Sequence, residues 1–426
     1  MLQLNFIREQ RDRVEAGLRK RNFTADQLAV LDDLIGLDDE RKAAQNQNDA
    51  LLAEANTLAR QIGECMKKGE HAEAAKLKIR VADLKEQSKT LEDSLLQIKT
   101  TLDSTLVGLP NIPHSSVPAG KTPEENEVFK DWTAPFPALP ADALPHWELA
   151  KKYDLFDLEL GVKLTGAGFP VYRKQGARLQ RALINFFLDE AAAAGYEEIQ
   201  PPLLVNSESA HATGQLPDKE AQMYYVERDD LYLIPTAEVP VTNILRDVIL
   251  EEKDFPIKMA AYTPCFRREA GSYGAHVRGL NRVHQFDKVE IVQVQHPDKS
   301  QETLMEMLHH VENLLQKLEL PYRILRLCGG DMGFASALTF DFEVFSAAQQ
   351  RWLEVSSVSC FDTFQSNRLK LRFRDANKKT QLAHTLNGSA LALARIVAAL
   401  LENNQTPDGI RLPKVLHDYM RATMIQ

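Results

Sequence analysis

Between Phe266 and Glu290 the chain reads FRREAGSYGAHVRGLNRVHQFDKVE, a stretch unusually dense in groups that could do chemistry. An Arg-x-Glu triplet, Arg267 to Glu269, opens it. Gly271, Ser272, Gly274 and Gly279 supply bending, and Arg282, Phe286 and Glu290 follow at intervals of four. Two short apolar runs, Met259–Phe266 and Lys288–Val294, flank the stretch, so the pattern predicts an antiparallel hairpin with a long basic connection. Such a hairpin offers a guanidinium fork for a phosphate, a carboxylate beside it and an aromatic face for a flat base. Together these groups describe a nucleotide held for chemistry at its α-phosphate. The plainer alternative is a surface hairpin with ordinary ion pairs.

Three further groups stand elsewhere in the chain. Thr236-Ala237-Glu238 follows the strand-like LYLIP and brings a hydroxyl and a carboxylate. Glu354-Val355-Ser356-Ser357, expected at the end of a strand, carries oxygen ligands suited to Mg²⁺, a hard cation. Asn387-Gly388-Ser389 is expected to open a last helix, Ala390 to Glu402, with Arg395 about a turn and a half inside it. Alone, Thr236 reads equally as a turn residue and Ser389 as a helix cap. Gly120-Lys121-Thr122 resembles the end of a phosphate-binding loop, but Ser115 stands where that motif needs its first glycine, and prolines surround it.

The elements that must position these groups fall into three regions. From Leu77 to Leu102, Leu77, Val81, Leu84, Ser88, Leu91, Leu95, Ile98 and Leu102 alternate four and three apart, a heptad seam. Val30, Leu34, Leu37, Arg41, Ala44, Asn48, Leu51, Ala55, Leu58, Ile62 and Cys65 form the matching seam before it, and Lys67–His71 supplies a turn. An antiparallel two-helix coiled-coil arm follows. From Glu40 to Lys99, 11 Lys and Arg stand against 10 Asp and Glu, so the arm is at +1 and the remainder at −10. Residues 110–145 hold eight of the 20 prolines and read as a linker with little regular structure. Beyond it, hairpin-linked strands and helices predict an α+β domain around an antiparallel β-sheet. The expected organisation is an N-terminal domain over 1–109, the linker over 110–145 and a catalytic domain over 146–426.

Composition narrows the function classes. At 426 residues and net charge −9, the chain does not read as a protein that grips nucleic acid over its whole surface, although a local basic patch is compatible. Cys65, Cys265, Cys328 and Cys360 lie far apart with no Cys-x-x-Cys pair, which argues against a disulfide framework or a cysteine zinc site. No apolar run reaches the length of a membrane span and the N-terminus carries no signal core, so a cytoplasmic protein with no membrane association is expected.

Taken together, the TAE triplet, FRREAGSYG…RGLNRVHQFDKVE, EVSS, NGSALALARIVAALLENNQTPDG and the N-terminal helical arm closely resemble the seryl-tRNA synthetases of bacterial type, among the class II aminoacyl-tRNA synthetases. The resemblance spans essentially the whole chain. It implies a class II antiparallel sheet flanked by helices, ATP and Mg²⁺ as reaction components, and L-serine and tRNA(Ser) as partners. It extends to tRNA(Sec) where one is present, and to a homodimer. By the same resemblance Arg267 meets the α-phosphate, with Arg268 and Glu269 beside it and Glu269 near the adenine amino group. Phe286 and Arg395 take the two faces of adenine, Arg282 reaches the terminal phosphates, and Val283, Val355 and Ser356 complete the ATP site. Glu354 and Ser357 hold Mg²⁺. Thr236, Ala237, Glu238, Arg267, Glu290 and Ser389 surround serine, two carboxylates serving its ammonium and hydroxyl. Arg268 stands where relatives often have a small polar residue, and Ala390 where they often have glycine. A synthetase-like ligase that loads a carrier protein is the main alternative, and the long arm argues against it. A coiled-coil scaffold with an inactive nucleotide fold is a second, opposed by intact Arg267, Glu269, Glu354 and Arg395.

Overall fold

The computed structural model describes residues 1–218, 221–269 and 277–426; Gly271, Ser272 and Gly274 of the basic connection lie outside them. The chain divides into two compact units. One comprises Leu2–Arg19 and Phe23–Pro110; the other comprises Met1, Lys20–Asn22 and Asn111–Gln426.

In the first unit, helices α1 (Val30–Lys68) and α2 (His71–Val107) pair along their length. The heptad seams read from the sequence are the residues drawn inward: Leu34, Asn48 and Ala55 on α1 and Leu84, Ser88, Leu95 and Leu102 on α2 are buried. At 1.5 Å per residue, the 39 residues of α1 span about 58 Å. Gly69 ends α1 with φ 78°, a left-handed conformation a glycine adopts without steric cost, and Lys67 and Lys68 face the carbonyl end of the helix dipole. Two contacts fix the stagger. Ser88 Oγ donates to Asn48 Oδ1 at 2.6 Å inside the seam, and Arg80 pairs with Glu54 at 2.9 Å outside it.

The second unit is built on an eight-stranded sheet. In chain order its strands are β1 (Glu127–Lys130), β2 (Glu197–Glu198), β3 (Ile257–Phe266), β4 (Gln285–Gln295), β5 (Tyr322–Arg326), β6 (Leu338–Ser346), β7 (Arg351–Cys360) and β8 (His384–Ala392). Their spatial order is β1-β5-β6-β7-β8-β4-β3-β2. Every neighbouring pair is antiparallel except β2 with β3. Helices α3 (His146–Tyr153), α4 (Lys174–Ala193), α5 (Ser300–Lys317) and α6 (Leu393–Asn403) join the sheet in one large core, in which Leu183, Phe187, Val311, Leu315 and Val397 meet Val289, Ile291, Phe342 and Leu353. Successive strand residues point to opposite faces, so Val289 and Ile291 enter this core while Lys288 and Glu290 face the other way.

Three expectations change. Asn387-Gly388-Ser389 does not open a helix but lies inside β8, and α6 begins only at Leu393. The segment pairs on both sides, with β7 and β4, and this pairing overrides the helical preference of SALALAR. Gly388 is required there, because a Cβ would stand 2.9 Å from Val358 Cγ2 on β7. Glu354–Ser357 sits within β7 and does not end it. The proline-rich linker is not featureless, since its Glu-Val-Phe-Lys forms β1, an edge strand on β5. Among the described residues, all four cysteines are free and no helix is long and apolar enough to cross a membrane.

Candidate active site

On the face of the sheet opposite α4 and α5 lies a cavity of about 1080 Å³. The hairpin β3–β4, the bulged strands β7 and β8, the first turn of α6 and the short helix Glu238–Asn243 all contribute to its wall. Strand register does much of the assembly. Glu290 on β4 is paired across to Ser389 on β8, and Asp341 on β6 to Ser357 on β7. Shifts of register fall beside Glu290 on the β4–β8 pair and beside Glu354 on the β6–β7 pair. Such bulges re-aim side chains where a flat ladder would alternate them away.

All the residues expected at a site line this cavity except Ala237 and Arg268. Ala237 is fully buried and packs with Val241, Met259, Ala261 and Val292. The Arg268 guanidinium lies 5.4 Å over the Tyr224 ring, and its backbone N–H donates to the Gln222 carbonyl at 2.8 Å.

One end of the cavity is a cluster of guanidinium groups and aromatic carbon. Arg267 Cζ sits 5.3 Å over the Phe286 ring, while its Nε donates to the Pro235 carbonyl at 3.3 Å. Arg282 pairs with Glu269 at 3.3 Å. Arg395 is fixed at two points: Nε donates to the Asn281 carbonyl at 2.9 Å and Nη1 to the Glu354 carbonyl at 2.7 Å. Its Nη1 also lies 3.7 Å from the Glu354 carboxylate. Val283, Val355 and Ser356 complete this end, the Ser356 hydroxyl donating to the Ser389 carbonyl at 2.5 Å.

The other end is a small polar chamber with carboxylates in its wall. Lys288 Nζ donates to Thr236 Oγ1 at 2.8 Å and lies 2.5 Å from Glu290 Oε2. Glu238 Oε1 accepts from the Gln365 amide at 2.7 Å. All five of these side chains are buried. Burial first, and then the neighbouring charge of Glu290, push the Glu238 carboxyl up to about 7. The buried Asn387 side chain also hydrogen-bonds the Glu238 carboxyl, which opposes that rise. Two carboxylates, a hydroxyl and an amide in a closed space suit a small zwitterion with a hydroxyl of its own.

Between the two ends stands an oxygen-rich wall. Asp341 is half-buried opposite Ser357, its buried Oδ1 without a partner among the described residues. Burial and the nearby Glu354 hold its carboxyl well above the usual range. An orphaned acceptor beside a second carboxylate and a hydroxyl fits a divalent cation held by Glu354 and Ser357.

Lys288, Gln365, Asn281 and Asp341 were not anticipated as site residues. Lys288 had a visible signal: it stands two residues from both Phe286 and Glu290, hence on the same strand face. Asp341 reaches the cavity from β6, and Gln365 stands behind Glu238 from a separate element; only tertiary placement reveals them.

A sheet of this topology, carrying the guanidinium cluster on its β3–β4 hairpin and Arg395 on the helix after β8, defines a class II aminoacyl-tRNA synthetase. The family profile described as tRNA synthetase class II core domain (G, H, P, S and T) matches residues 224–404, and that of the seryl-tRNA synthetase N-terminal domain matches residues 1–113. The chain belongs to the seryl-tRNA synthetase family. It is 50% identical to the serine–tRNA ligase of Salinibacter ruber over 98% of both chains, and 46% identical to that of Akkermansia muciniphila over 100% of this chain and 99% of the relative. Among solved structures, the seryl-tRNA synthetase of Pyrococcus horikoshii complexed with ATP superposes with a TM-score of 0.90 at 33% identity, covering 100% of this chain and 99% of that one. The cytoplasmic serine–tRNA ligase of Naegleria fowleri in complex with AMP gives 0.87 at 26% identity, with the same coverage.

Proposed function

We propose that this protein activates L-serine with ATP to seryl-adenylate and pyrophosphate, then transfers serine to the 3′ end of tRNA(Ser), and of tRNA(Sec) where the source contains one. The observation that carries the reading is the juxtaposition of the closed chamber of Thr236, Glu238, Lys288 and Glu290 with the Arg267–Phe286 cluster in one cavity. Serine's ammonium meets Glu238 and Glu290, its hydroxyl meets the remaining polar groups near Ser389 and Asn387, and Arg267 draws its carboxylate toward the α-phosphate. Phe286 and Arg395 hold adenine between them, Arg282 and Glu269 exchange their mutual ion pair for phosphate and the adenine amine, and Arg268 supports the triplet from outside. A serine carboxylate oxygen attacks the α-phosphorus in line and pyrophosphate leaves. No protein nucleophile is needed, so rate comes from alignment and from the charge of Arg267. Glu354 and Ser357 would hold Mg²⁺, which neutralises phosphate charge when bound. In the second step a terminal ribose hydroxyl of the tRNA attacks the seryl carbonyl and AMP leaves.

The same reading makes residues 1–109 the tRNA-binding domain, 110–145 a linker and 146–426 the catalytic domain, in a cytoplasmic homodimer. Transfer to a carrier protein is disfavoured by the arm, whose length serves no purpose there. Serine-dependent exchange of pyrophosphate into ATP, followed by charging of tRNA(Ser), tests the whole. Alanine should support exchange at least ~10⁴-fold less efficiently than serine, because it leaves the chamber's polar groups unpaired. Exchange as fast with alanine as with serine would overturn the assignment.

A further inference from the structure

One polar network, centred on two fully buried side chains, touches both walls of the nucleotide end. His146 opens α3 and Glu402 lies near the C-terminus of α6, each with no exposed surface. Glu402 Oε1 accepts three hydrogen bonds: from His146 Nδ1 at 2.6 Å, from the His146 backbone N–H at 2.9 Å and from the Gln349 amide at 2.9 Å. Its other oxygen accepts from the Ser346 hydroxyl. The far side of the ring, Nε2, accepts from the backbone N–H of Leu280 at 2.8 Å. A backbone amide only donates, so the ring proton sits on Nδ1. Gln349 carries the network onward, its Oε1 accepting from Asn281 Nδ2 at 2.8 Å, and the Asn281 carbonyl holds Arg395 Nε.

This arrangement grips the return limb of the β3–β4 connection before its strand begins. Residues 279–284 precede β4 and present Arg282 and Val283 to the cavity. Gly279, at φ +71°, lies directly against the ring; a Cβ there would stand 2.2 Å from His146 Nε2. Outside, Arg278 meets Glu148 at 3.3 Å and lies 4.8 Å over Trp147, so α3 holds the limb on both sides. A buried carboxylate surrounded by donors is a weak source of stability compared with an apolar core, and its specific use is to define one geometry.

We propose that His146, Glu402 and Gln349 are positioning residues for adenylate formation: they hold Leu280 and Asn281, and through Asn281 the guanidinium of Arg395, in the arrangement that binds ATP. The proposal rests on the reading of Arg395 as an adenine-binding group. The test is pyrophosphate exchange titrated separately with ATP and with serine. Gln349→Leu, at a half-buried turn position, should raise the KM for ATP by roughly 10-fold, since small misplacements of aligned groups cost up to ~10²-fold. The KM for serine should stay within about twofold and the melting temperature near wild type. His146→Ala should show a larger effect of the same kind, and His146→Gln, which restores an acceptor for Leu280, should recover part of it. Unchanged ATP dependence in Gln349→Leu beside a defective Arg395→Ala would overturn the proposal alone, as would equal losses for both substrates. Wild-type ATP dependence in Arg395→Ala would overturn the reading of the site and this proposal with it.

Discussion

Glu238 and Glu290 share a buried chamber with one lysine, and their unequal surroundings give each a measurable signature. An acid whose pKa is raised on folding, from the ordinary 4.5 to about 7 for Glu238, disfavours the folded state once it ionises. Its stabilising contribution is complete below about 4.5 and is lost as pH rises through about 7. Glu238→Gln should therefore flatten the dependence of melting temperature on pH across that window; an unchanged slope would place the titration elsewhere. Catalysis should run the opposite way, because the ionised carboxylate is the form that pairs with an ammonium. The kcat/KM for serine should fall as pH drops through about 7, and the variant should lose that inflection. Glu290→Ala removes the partner of Lys288 and leaves a buried ammonium beside Thr236. At about 2–3 kcal/mol for such an orphaned charged group, the KM for serine should rise roughly 30- to 150-fold. An equal rise in the KM for ATP would misplace Glu290.

Among the elements, those with a strong local period were legible before any coordinates. The two heptad seams predicted the inward line shared by α1 and α2, though Leu31, Asp38 and Ala74 are buried outside it, and the apolar runs around the basic connection predicted β3 and β4. What failed was set by partners distant in sequence. β8 is a strand because β4 and β7 flank it, and β1 is a strand because the edge of β5 accepts it; neither neighbour is visible in ten residues of sequence. The carboxylate of Asp341 enters the site through a cross-strand register for the same reason. The site was thus readable where one segment carries several groups, and unreadable where the fold brings single residues from afar. Within the arm, the Asn48–Ser88 pair is a polar interruption of an apolar seam, the kind that fixes register at a cost in stability. Asn48→Ala should weaken the hairpin by ~1–3 kcal/mol, since it strands the Ser88 hydroxyl. Replacing both residues by leucine should stabilise it while relaxing the register. Amide hydrogen exchange over residues 30–107 reads both, and faster exchange in the double variant would refute the second expectation.

For the whole molecule, the two units invite separation by experiment. Replacing Gln45–Leu95 with a short turn should leave serine-dependent pyrophosphate exchange within a few-fold, while charging of tRNA(Ser) collapses, because contacts of the arm to the RNA backbone and its shape are lost. Normal charging by the truncated protein would refute the role of the arm. Along α4, a second hollow of about 480 Å³ is lined by Tyr172, Gln180, Ile184 and Tyr262. Such a face suits the two-fold interface of the proposed homodimer. Light scattering should give twice 48.0 kDa at micromolar concentration; a fully active monomer would refute it. The order of strands across the sheet also fixes a timetable for the ribosome. The two strands translated first, β1 and β2, occupy the outer edges, and the strand translated last, β8, fills the centre between β7 and β4. A nascent chain can wind its N-terminal hairpin from local contacts early, but it exposes the ladder edges of β4 and β7 until residue 392 has left the exit tunnel. A message cut short before β8 therefore yields two half-sheets with open inner edges, a substrate for chaperones and proteases and not a partially active enzyme.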